Sequence, residues 1–98
     1  MSQYMVEFDL PQEMTEDFLM KIPLQRLKVN ELMENGKLLS YALSIDRHRL
    51  WCVVKAQTEV EVMEIVSEFP LISYMDPTVT ELMFNNVVSL RVPLFSLN

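Results

Sequence analysis

The sequence predicts an α+β domain in the order strand, helix, strand, strand, helix, strand, with one four-stranded antiparallel sheet. Three observations carry this. Residues 37–56 (KLLSYALSIDRHRLWCVVKA) hold two runs rich in apolar, aromatic and β-branched residues joined by the polar cluster Asp46-Arg47-His48-Arg49, the strongest hairpin signal in the chain. Each half of the chain pairs a period-two strand pattern with an amphipathic helical stripe. Ninety-eight residues, half of them apolar and 22% charged, allow one domain with one core.

In chain order, residues 3–9 (QYMVEFD) alternate Tyr4, Val6 and Phe8 against Met5, Glu7 and Asp9, so one face of a first strand is buried. Leu10-Pro11 ends it. Thr15, followed by Glu16 and Asp17, is a helix start with acidic groups at the positive end of the dipole. Met14, Phe18 and Ile22 then fall four apart. Pro23 lacks an amide donor and clashes with the preceding turn, which predicts a kink or two short helices, with Leu24, Leu27, Leu32 and Met33 resuming the stripe on a shifted phase. Gly36, the only glycine, follows Asn35 where a left-handed cap ends the helix.

In the hairpin, alternation places Leu39, Tyr41, Leu43 and Ile45 on one face with Leu50, Cys52 and Val54. Leu38, Ser40, Ala42 and Ser44 share the other with Trp51, Val53 and Lys55. The first face is wholly apolar and faces the helices; the second is semi-polar. Thr58 and Glu61 then form a capping box, and Val62, Ile65, Val66 and Phe69 make the stripe of a second helix stopped by Pro70. Residues 78–84 (TVTELMF) form the last strand. This is the split βαβ, or ferredoxin-like βαββαβ, arrangement with both helices on one sheet face, over residues 1–86. Residues 87–98 (VVSLRVPLFSLN) are too apolar for a free tail, since each large side chain left in water costs about 1.5–3 kcal/mol. They are read as an arm at a subunit interface, with folding back over the chain's own sheet as the other reading.

The net charge of −6 and scattered basic residues argue against nucleic acid as a partner. No apolar run reaches the roughly 20 residues a membrane span needs and no signal-peptide pattern opens the chain, so the expected location is cytoplasmic and no membrane partner is expected. The single Cys52 excludes an internal disulfide and reads as buried filler. One glycine excludes phosphate-cradling loops, and no Cys/His zinc spacing is present. Met14, Met33 and Met63 lie on predicted apolar stripes and read as core.

Residues 69–75 (FPLISYM), followed by Asp76 and the strand containing Val79, Thr80, Glu81 and Leu82, resemble the Leu-Pro-Leu-Phe-Pro-Tyr-Met segment and following strand of muconolactone isomerases. Compatible spacing extends the resemblance back over the capping box, the hairpin and the helix ending at Gly36, covering about residues 3–86. It implies a ferredoxin-like domain whose sheets pair face to face into a dimeric α+β barrel, set within a larger ring. It also implies movement of a double bond in an unsaturated lactone by proton transfer, with no cofactor. Where that family has Leu-Trp-Arg after the glycine this chain has Tyr41-Ala42-Leu43, and Asn85-Asn86 stands in place of His-Pro. The family's cation is thus not carried over.

If two sheets pair, their semi-polar faces enclose a cleft lined by Met5, Ser40, Ala42, Ser44, Trp51 and Val53. Glu7 and Lys55 on that face are the candidate catalytic acid/base couple, a carboxylate half buried beside Met5 and Trp51 being suited to carbon-acid chemistry. A structural ion pair between them is the plainer reading. His48, between two arginines in a turn, reads as a solvated loop residue. Two functions follow: a cofactor-free isomerase of a small unsaturated lactone or acid, or a non-catalytic module of the same fold that binds a small apolar acid or lactone or serves assembly.

Overall fold

The computed structural model describes residues 2–87. The elements are β1 (Ser2–Asp9), α1 (Glu16–Glu34), β2 (Leu38–Leu43), β3 (Arg49–Ala56), α2 (Glu59–Val66) and β4 (Asp76–Leu82), with a 3-10 turn at Ile72–Tyr74 before β4. The strands form one antiparallel sheet in the order β2-β3-β1-β4. This is the ferredoxin-like α+β arrangement expected from the sequence. The apolar arm at residues 87–98 lies, beyond Val87, outside the described residues.

The core lies between the helices and one sheet face. Tyr4, Val6 and Phe8 of β1 and Leu50, Cys52 and Val54 of β3 meet Phe18, Val29 and Leu32 of α1 and Val62, Ile65 and Val66 of α2. Phe69 seals the layer: its ring lies 5.7 Å from that of Phe8 and 6.3 Å, edge-on, from that of Tyr41. Burying each such side chain contributes about 1.5–3 kcal/mol.

Local chemistry explains the helix ends. The Thr15 hydroxyl accepts the Phe18 amide at 3.2 Å and opens α1. At its far end Gly36 takes φ 74°, the Lys37 amide returns to the Leu32 carbonyl at 3.0 Å and the Gly36 amide to that of Met33 at 3.1 Å, a Schellman cap. At α2, Thr58 Oγ1 accepts the Glu61 amide at 3.2 Å, while the Glu61 carboxylate accepts from the Gln57 amide rather than from Thr58.

Four sequence expectations need correction. Instead of two short helices, α1 runs unbroken through Pro23, and its buried residues Phe18, Gln25, Val29 and Leu32 keep a single phase. Leu24 and Leu27 point outward, because the phase shift anticipated at Pro23 does not occur. The hairpin is out of simple register: a bulge between Leu38 and Ser40 pairs Leu38 with Val54. Leu38 is therefore only 1% exposed and Leu39 39%, the reverse of strict alternation, and Leu43 and Ile45 are exposed beside and within the turn. Met14 packs against the core, but Met33 and Met63 are exposed. β4 begins at Asp76, two residues before its predicted start, and Pro77 is tolerated because β4 is an edge strand with no ladder on its outer side.

Candidate functional site

Register orders the semi-polar sheet face into rows. Thr78, Glu7, Trp51 and Ala42 form one; Thr80, Met5, Val53 and Ser40 form the next; Leu82, Gln3 and Lys55 form a third. Met5, Ser40, Ala42, Trp51 and Val53 thus share the face as expected. Glu7 and Lys55 do not meet, being separated by four residues along adjacent strands, about 13 Å at the usual rise.

Glu7 has other partners. Trp51 Nε1 donates to Glu7 Oε1 at 2.8 Å, and Arg49 Nη1 lies 3.8 Å from Glu7 Oε2 while its Nε lies 3.6 Å from Asp9 Oδ1. The indole bond is the better directed contact; the arginine pairs are exposed and long, so each is worth little. Ser44 turns away from this face. Its hydroxyl donates to Asp46 Oδ1 at 2.6 Å and accepts the Arg49 amide at 3.1 Å, and Asp46 Oδ1 also accepts the His48 amide at 2.9 Å. These bonds hold the Asp46 carboxyl below its ordinary range, first through Ser44 and then through the His48 backbone. Ser44, Asp46 and His48 therefore build the turn, in which Arg47 takes φ 66°.

On the opposite, helix-facing side lies a cavity of about 410 Å³ between the first half of α1 and the β2–β3 hairpin. Leu10, Met14, Phe18, Ile22, Leu50 and Met75 contribute apolar wall, and Gln25, Arg26, Tyr41 and Arg47 the polar part. Its size falls in the range of roughly 300–1,000 Å³ common for small-molecule sites. Gln25 is 4% exposed yet bonded at both side-chain heteroatoms: its Oε1 accepts the Leu71 amide at 3.1 Å and its Nε2 donates to the Tyr41 hydroxyl at 3.1 Å. Burial pushes the Tyr41 hydroxyl above its ordinary range, with the Gln25 bond opposing, so it is protonated at neutral pH. Arg26 and Arg47 make no ion pair among the described residues. Among the described residues, the cavity lining contains no carboxylate and no imidazole side chain.

Sequence reading missed this cavity. The available signal was Gln25, a polar residue in phase with Phe18, Ile22, Val29 and Leu32 on a stripe that otherwise packs inward. Cys52 is buried as expected, and burial pushes its thiol up to about 12.

The muconolactone delta-isomerase family model matches residues 2–85, from the first strand through the end of the sheet. The chain belongs to the muconolactone delta-isomerase family. No curated protein matches it. The match covers both the sheet face bearing Glu7 and Trp51 and the cavity under α1. In this family member, therefore, the polar groups of the cavity are Gln25, Arg26, Tyr41 and Arg47. No helix among the described residues is long and apolar enough to cross a membrane.

Proposed function

We propose that this muconolactone isomerase-like protein takes a small unsaturated lactone or acid into the cavity between α1 and the sheet. The reading is carried by one observation: an apolar cavity of about 410 Å³ with Arg26 and Arg47 in its wall, neither engaged by a carboxylate among the described residues. Apolar walls favour a hydrocarbon ring or chain, and guanidinium groups favour a carboxylate through charge-assisted, often bidentate hydrogen bonds. These two arginines supply the cation that the Tyr41-Ala42-Leu43 stretch lacks. The test is calorimetric titration with muconolactone. Binding that weakens about tenfold or more in Arg26→Gln/Arg47→Gln supports the reading. No binding, or equal binding by the double variant, removes it.

Catalysis is a second reading, favoured by the carboxylate of Glu7 held by the Trp51 indole on the semi-polar face. In it Glu7 takes a proton from the ring carbon beside the lactone double bond and returns it at the far end of the delocalised anion. The double bond moves without any net change in atoms or electrons, and no cofactor is required. Lys55 stands too far along the strand to share that proton directly. A second copy of the chain is proposed to cover this face, making the closed pocket that such chemistry needs. Among the described residues the cavity lining offers guanidinium, amide and phenol groups and no carboxylate or imidazole side chain, which favours binding without turnover there. Muconolactone turnover that disappears in Glu7→Gln with assembly unchanged would put the enzyme reading first; no turnover by the unaltered protein eliminates it.

A further inference from the structure

We infer that Tyr41 is a specificity-determining donor aimed into the cavity by Gln25, so that the ligand presents an uncharged oxygen acceptor there in addition to the carboxylate met by Arg26 and Arg47. This deepens the cavity reading above and rests on it.

Hydrogen-bond polarity fixes the assignment. The Leu71 amide can only donate, so the Gln25 atom facing it at 3.1 Å is the carbonyl oxygen. The Gln25 side-chain nitrogen is then turned toward Tyr41 and must donate to the hydroxyl oxygen at 3.1 Å, because an amide nitrogen accepts nothing. The proton of the Tyr41 hydroxyl is left without an acceptor among the described residues. Tyr41 also borders a surface hollow with Val29 and Met33, but Gln25 lines only the larger cavity, and the bond to Gln25 places the hydroxyl end of the ring there. Tyr41 is partly buried, and once a ligand displaces solvent from the cavity its hydroxyl donor makes a hydrogen bond to that ligand or forfeits solvation. A ligand with a ring or carbonyl oxygen at that point satisfies it; a hydrocarbon ring leaves it unmatched. The ring itself is held by its edge-on contact with Phe69, so its aim does not depend on the ligand.

Two probes isolate the effect: a saturated five-membered lactone bearing a carboxymethyl arm, and cyclopentylacetate, which keeps the ring and the carboxylate but lacks the lactone oxygens. Calorimetry on the full chain is expected to give tighter binding of the lactone acid by about five- to tenfold, the worth of one neutral hydrogen bond. Tyr41→Phe, which retains the ring against Phe69, is expected to abolish that ratio while cyclopentylacetate binds within about twofold of before. Gln25→Glu accepts from both Leu71 and Tyr41 and so captures the tyrosine proton. Its added charge acts on both probes alike, so their ratio is the readout, and that ratio is expected to fall toward one. A ratio unchanged in Tyr41→Phe overturns the donor role, and one unchanged in Gln25→Glu overturns the positioning role. Failure of both probes to bind the unaltered protein instead overturns the cavity reading on which the inference stands.

Discussion

At the scale of single residues, Asp46 shows how one carboxylate organises a turn. It accepts from the Ser44 hydroxyl and the His48 amide, bonds that favour its charged form. Its folded value is therefore depressed below the ordinary value of 3.8, so its contribution is complete above the unfolded value and is lost as pH falls through the folded one. Asp46→Asn is expected to lower the melting temperature at neutral pH, and the gap between variant and parent should close on acidification. Thermal melts between pH 2 and 7 decide it, and a gap that stays constant to the lowest pH refutes the assignment. Nothing in residue types alone marked Asp46 from its neighbours, since all four residues of the cluster Asp46-Arg47-His48-Arg49 are polar or charged. Ser44, assigned to the pocket by alternation, belongs to the turn because strand pairing stops at Leu43.

At the scale of elements, the bulge in β2 decides which leucine is structural. Leu38 packs at 1% exposure and Leu39 lies at the surface, so Leu38→Ala is expected to cost about 2–5 kcal/mol and Leu39→Ala less than about 1. Denaturant unfolding of the two variants checks this directly; equal costs would mean the strand pairs in the unbulged register. Sequence periodicity could not find the bulge, because adjacent leucines satisfy either phase and the choice depends on how β2 meets Val54 and Val53 across the ladder. The continuity of α1 has a similar origin. Tertiary burial of Phe18, Gln25, Val29 and Leu32 on one stripe outweighs the local preference of Pro23 to end a helix.

At the scale of the whole molecule, one sheet face is covered by helices and the other carries Met5, Trp51 and Val53 among polar neighbours. A second copy laid on that face is the proposed assembly. Sedimentation velocity of the full chain is expected to report at least a dimer, with Trp51→Lys shifting it to the protomer; a protomer mass for the unaltered chain ends the proposal. A chain ended at Asn86 tests the apolar arm, for which a reduced assembly mass is expected. An unchanged mass would assign the arm to its own subunit.

The sequence by itself determined the α+β class, the element order, the threonine N-cap of each helix and the inward face of β1, because each depends on periodicity or on residues within four positions of one another. It also carried the family, through the segment at residues 69–75. Tertiary structure alone decided that Glu7 meets Trp51 and not Lys55, since strand register sets who stands opposite whom. It decided as well that Gln25, Tyr41, Arg26 and Arg47 line one cavity. Those four come from a helix, a strand and a turn as much as 22 positions apart, and only the packing of α1 across the hairpin brings them together.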